Sequence, residues 1–131
     1  MEGSRDVLVV DDDDDLRDVI QMMVGTAGYP TRAAANGRAA LEEVRRARPG
    51  LILLDMLMPV MDGWEFVRQL RERHGNGIPI VIVSAAEHVL SIGAELDAAA
   101  VLAKPFEYRD LLLALQRHLG VCQPLSGATS P

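Results

Sequence analysis

Four apolar residues, Val7-Leu8-Val9-Val10, run directly into five consecutive aspartates, Asp11 to Asp15. Adjacent carboxylates repel one another and ordinarily mark a solvated tail. Here they follow a stretch that reads as a buried strand, so the strand has to deliver acids to one point. The arrangement recurs along the chain. Leu51-Ile52-Leu53-Leu54 runs into Asp55, Ile78–Val83 into Ser84, and the small-residue stretch Ala99–Ala103 into Lys104. Several of these runs are continuously apolar instead of alternating. That indicates burial on both faces, hence a parallel sheet with helices on each side.

Helical patterns separate the strands. After the aspartates, Leu16, Val19, Ile20 and Met23 recur at helical spacing, with Asp14 or Asp15 able to cap the helix and Gly25 and Gly28 ending it. A weak strand is expected near Tyr29–Ala33. Asn36-Gly37 starts a second helix with Leu41 and Val44 inward, and Pro49-Gly50 stops it. The Asp62-Gly63 turn precedes a helix through Phe66, Val67 and Leu70. A short helix containing Gly93 is expected near His88–Leu96, and a last one from Tyr108 to Leu119 with Leu111, Leu112, Leu115 and Leu119 inward. The fold class is therefore α/β: a (βα)₅, doubly wound, parallel five-stranded sheet. Residues 1–5 read as an extension, 6–120 as the domain, and 121–131, uncharged and rich in Pro, Ser and Gly, as a disordered tail or linker.

Composition excludes several function classes. A chain of 131 residues is long enough for one core without a staple. The single Cys122 leaves no internal disulfide and no multi-cysteine metal site. No apolar run approaches the ~20 residues of a membrane span, and the N-terminus lacks a signal-peptide core, so a soluble cytoplasmic protein is expected. A net charge of −6 argues against direct nucleic-acid binding, which is mostly phosphate neutralisation. His74, His88 and His118 show no ligand spacing.

In an open α/β sheet the functional crevice lies beyond the carboxyl ends of the strands. Asp11, Asp12 and Asp55 would meet there as three mutually repelling carboxylates, each raising the others' pKa. A hard divalent cation relieves that repulsion, and Mg²⁺ takes oxygen ligands while keeping waters that a phosphate oxygen can replace. Asp13 is placed at the rim, and Asp14 and Asp15 suit a helix N-terminus. An EF-hand reading fails, because the turn glycine would fall on Leu16 and the closing acid on Met22. Asp55 either caps the turn that follows it or serves as a carboxylate nucleophile. Ser84 offers a hydroxyl, and Lys104, the only lysine beside twelve arginines, a compact cation for a phosphoryl group.

Four fragments in order and register carry a resemblance: Val9-Val10-Asp11-Asp12, the stretch from Leu54-Asp55 through Met58-Pro59 to Asp62-Gly63, Val83-Ser84-Ala85, and Lys104-Pro105-Phe106. Spread over nearly all of the ordered chain, they make it resemble the receiver domain of two-component response regulators. The resemblance implies that Asp55 is the phospho-acceptor and that Asp11, Asp12, Asp55 and the backbone carbonyl of Leu57 bind Mg²⁺. It implies Ser84 as the switch hydroxyl, Lys104 as the contact to the phosphoryl group, and a cis Lys104–Pro105 bond. The expected partners are a sensor histidine kinase or phosphotransfer protein on one side and a downstream protein target or output domain on the other. A homodimer is compatible with it, and neither nucleic acid nor membrane is a direct partner.

The chain departs from that pattern in three places. Val101 stands where an aromatic switch residue is expected, the stretch from Ser84 to Lys104 is about two residues short, and Leu57 and Ala86 are apolar where water-positioning groups can stand. Catalysis of its own phosphorylation and slow autodephosphorylation, with no other enzymatic activity, is the expectation. A receiver-like interaction module that works without phosphorylation is the alternative. A flavodoxin-like cofactor binder or hydrolase would need a Gly-rich phosphate loop or an Asp-x-Asp nucleophile motif, and the sequence shows neither in that role.

Overall fold

The computed structural model describes residues 5–56, 63–85, 98–104 and 106–120. The strands are β1 (Val7–Val10), β2 (Thr31–Ala34), β3 (Leu51–Asp55), β4 (Ile80–Ala85) and β5 (Ala100–Lys104). The helices are α1 (Asp14–Thr26), α2 (Gly37–Arg46), α3 (Gly63–His74) and α4 (Tyr108–Leu119). All strand pairs are parallel, in the order β2-β1-β3-β4-β5. This is the doubly wound α/β sheet expected from the strand pattern.

The continuous apolar runs follow from burial on two sides. Successive side chains of a strand point to opposite faces. Leu8, Val10, Ile52, Leu54, Ile80 and Ile82 pack with Leu41 and Val44 of α2 and Phe66, Val67 and Leu70 of α3. Val7, Val9, Leu51, Leu53, Val81 and Val83 pack on the other face with Ile20 and Val24 of α1 and Leu111 and Leu115 of α4. The two half-cores hold the strand register, because a slip of one residue would exchange the faces.

That register positions the strand ends. Val10 pairs with Leu54, so Asp11 and Asp55 each lie one step past the pair. Asp55 itself pairs with Val83, so Ser84 comes one step later on the neighbouring strand. Ala85 pairs with Lys104 at the end of β5.

Several boundaries differ from the sequence reading. The cap of α1 is Asp13, whose side chain accepts from the Asp15 and Leu16 amides; Asp14 and Asp15 are the first-turn acids. Val19 is 51 % exposed despite its helical spacing, and Val24, four residues beyond Ile20, is buried instead. β2 starts at Thr31, because Tyr29 turns into the core under α1 and α4. β4 starts at Ile80 and extends through Ser84 to Ala85. In α4, Leu111, Ala114 and Leu115 are buried, whereas Leu112 and Leu119 are partly so. The helix expected at His88–Leu96, the tail, the Lys104–Pro105 bond, Ala86 and the Leu57 carbonyl lie outside the described residues.

Gly63 opens α3 where no side chain fits. A Cβ there would come within 2.8 Å of the Met56 Cα and 2.5 Å of its sulfur. The Gly63 amide also donates to the Met56 carbonyl at 3.0 Å. The start of α3 is therefore fastened to the residue directly after Asp55. Among the described residues, no helix is long and apolar enough to cross a membrane.

Candidate functional site

The end of β1 turns from apolar to acidic in one step. Asp11 is 2 % exposed, although its side chain is a carboxylate. Its backbone amide donates to the Ala34 carbonyl at 3.2 Å, extending the β1–β2 pairing by one residue. Its Oδ1 accepts the Asp13 amide at 2.9 Å. Burial raises the Asp11 pKa above its ordinary 3.8; the Asp13 amide and Lys104 pull the other way, and the neighbouring charges of Asp12 and Asp13 add to the rise. Asp12 is exposed. The aspartate run thus divides by function of place: Asp11 and Asp12 at the strand end, Asp13 as the helix cap, Asp14 and Asp15 in the first turn, where the helix dipole favours acids.

Asp55 ends β3 and is 8 % exposed. Its Oδ1 lies 3.8 Å from the Lys104 Nζ, an ion pair reaching across from the edge strand β5. Ser84, on the intervening strand, is 5 % exposed. Asp11, Asp12 and Asp55 each present a carboxylate oxygen, and the three oxygens lie within 4.8 Å of one another. Three hard oxygen donors grouped so closely suit a small divalent cation of the Mg²⁺ type, and they repel one another without it. The donor set therefore fits the ion that the strand-end pattern suggests.

Arg17 was not singled out by the sequence reading. It donates to the Asp11 carbonyl at 2.8 Å and to Asp14 Oδ1 at 2.5 Å. Its i+3 spacing from Asp14 was the available signal, but that spacing points only to a helix-surface pair. The reach back to the strand end depends on how α1 crosses β1.

Comparison with known proteins agrees with this fold. Residues 7–116 match the family described as the response regulator receiver domain. The response regulator MprA of Mycolicibacterium vanbaalenii is 38 % identical over 124 residues, 93 % of this chain and 53 % of the relative. MprA of Mycobacterium leprae is 38 % identical over 126 residues, 95 % of this chain and 55 % of the relative. The chain spans about half the length of these relatives. Among solved structures, the chemotaxis protein CheY4 of Vibrio cholerae superposes with a TM-score of 0.78 at 35 % identity, covering 90 % of this chain and 100 % of that one. The receiver domain of NtrX from Brucella abortus has a TM-score of 0.78 at 29 % identity, covering 86 % and 97 %. With the family match running from β1 into α4, across every element that contributes a side chain to the acidic site, this chain belongs to the response regulator receiver domain family.

Proposed function

We propose that residues 6–120 form a phosphorylation-controlled switch of a cytoplasmic two-component phosphorelay, with Asp55 as the phospho-acceptor. The observation that carries this reading is the convergence of the Asp11, Asp12 and Asp55 carboxylates within 4.8 Å, with the Lys104 ammonium 3.8 Å from Asp55. The donor is a phosphohistidine of a sensor histidine kinase or phosphotransfer protein. An Asp55 carboxylate oxygen forms the new bond to phosphorus, the bond from phosphorus to the imidazole nitrogen breaks, and the departing nitrogen keeps the electron pair of that bond as the neutral imidazole leaves.

Asp11, Asp12 and Asp55 would hold Mg²⁺, joined by the Leu57 carbonyl as the family pattern implies. Bound there, the cation supplies charge neutralisation to the phosphoryl oxygens. The chain's own residues do the positioning. The β1–β3 register keeps the acceptor beside Asp11. Lys104, at the end of the edge strand β5, brings a positive charge to Asp55 over the intervening β4. Burial of Asp55 and Ser84 limits water at the acceptor.

Phosphorylation adds charge and acceptor oxygens at Asp55, which the Ser84 hydroxyl and Lys104 then bind. Those new contacts exist in one state only, as a switch requires. Val101, partly buried on the α2–α3 side of the sheet, replaces an aromatic switch side chain, so the signal leaves through Ser84 and β4. The recipient is a downstream protein target or an output domain.

The test is incubation with Mg²⁺ and a small phosphodonor, followed by intact-mass spectrometry. One phosphoryl group on the wild type and none on Asp55→Ala is expected. No addition to the wild type would overturn the proposal in favour of an interaction module that works without phosphorylation.

A further inference from the structure

Arg17 divides its guanidinium between two acceptors. One nitrogen donates to the Asp11 backbone carbonyl at 2.8 Å, the other to Asp14 Oδ1 at 2.5 Å. Only 16 % of the Arg17 side chain is exposed, against 81 % for Asp14, so the end on the Asp11 carbonyl is the sheltered one. That carbonyl belongs to the peptide unit joining Asp11 to Asp12. The same short stretch is tied a second time, where the Asp13 amide donates to Asp11 Oδ1 at 2.9 Å. Asp13 in turn caps α1, the helix that carries Arg17.

We infer that Arg17 is a positioning residue for the Asp11–Asp12 acid pair: by fixing the peptide plane between them, it holds a buried and an exposed carboxylate toward the point they share with Asp55. The inference rests on the divalent-cation reading of that point. The physical need is specific. Neighbouring carboxylates repel, and a strand end held only by backbone pairing can turn one of them away toward solvent. A planar guanidinium reaching two oxygens at fixed separation opposes that rotation, and an ammonium does so less well.

The sign of the effect separates positioning from simple charge. Arg17 is a cation near a cation site, so by Coulomb's law alone its removal should tighten metal binding. If Arg17 orients the ligands, its removal should loosen binding despite the lost repulsion. Residues that orient metal ligands are typically worth roughly 10-fold or more in metal affinity.

The experiment is calorimetric Mg²⁺ titration of wild type, Arg17→Gln and Arg17→Lys, with thermal unfolding of each metal-free protein alongside. The dissociation constant is expected to rise roughly 10-fold in Arg17→Gln and to rise by less in Arg17→Lys. Phosphorylation of Arg17→Gln by a small phosphodonor should need correspondingly more Mg²⁺ for half-saturation yet approach the wild-type plateau in excess. Unchanged or tighter binding by Arg17→Gln overturns the inference while leaving the site intact. A wild type that binds no Mg²⁺ overturns the reading of the site and this inference with it. Loss of fold in both variants makes Arg17 a stability residue only, which also overturns it.

Discussion

Replacing Lys104 with methionine keeps most of the apolar stem and removes a cation 3.8 Å from Asp55 Oδ1. Two unit charges at such a distance interact by about 1 kcal/mol in water and about 4 kcal/mol at an effective dielectric of about 20. The Asp55 side chain is 10 % exposed and that of Lys104 33 % exposed, which places the pair between those limits. Solvent at the ammonium favours the lower half of the range, and about 2 kcal/mol is a working value. A phosphoryl group arriving on Asp55 would lose a similar interaction in its transition state, which corresponds to roughly 30-fold slower phosphorylation. Mg²⁺ affinity should move the opposite way, since the three carboxylates keep their charge and lose a competing cation. Time courses with a small phosphodonor at saturating Mg²⁺, read by intact mass, together with Mg²⁺ titrations, measure both. Phosphorylation within about threefold of wild type, or weaker Mg²⁺ binding, would refute the electrostatic role assigned to Lys104.

Asp11→Asn should stabilise the metal-free protein near neutral pH. Burial raises the Asp11 pKa, so the folded chain retains that proton where the unfolded chain has released it; stability therefore falls as pH rises from the ordinary 3.8 through the raised value, and the full penalty persists above it. The advantage of Asp11→Asn should vanish at acid pH and reverse when Mg²⁺ is added to the wild type; urea unfolding at two pH values with and without Mg²⁺ measures this, and a less stable Asn variant without metal at neutral pH contradicts it. Gly63→Ala places a Cβ 2.8 Å from the Met56 Cα, an overlap that only backbone movement relieves. It should cost about 1–3 kcal/mol in urea unfolding and slow Asp55 phosphorylation, because Met56 follows the acceptor; a change within about 0.5 kcal/mol would show that the turn yields freely.

Much of this was legible in the order of residues. Strands buried on two faces need apolar side chains at every position, so Leu51–Leu54 and Val7–Val10 announce a covered parallel sheet without any contact being known. Helix periodicity was less discriminating. Val19 satisfies the spacing but lies at the rim of the apolar stripe of α1 and stays in solvent. The cap of α1 was misplaced among chemically identical aspartates, because every one of them is a good cap and only backbone geometry selects Asp13. Tyr29 has strand propensity, yet its ring is claimed by the core beneath α1 and α4.

Sequence alone determined the chemistry available at the carboxyl ends of the strands: acids just after β1 and at the end of β3, a hydroxyl late in β4, a lone lysine closing β5. Those identities follow from strand ends being the places where an apolar run can stop. The tertiary structure decided which of them meet. Strand order and register put Asp11 beside Asp55 and set Lys104 within 3.8 Å of Asp55 across 48 intervening positions in the chain. It also decided that Arg17, a helix-surface residue by its spacing, reaches back to the Asp11 carbonyl. Spacing along a helix specifies a face, but the angle at which that face crosses a strand is set by packing between elements far apart in sequence.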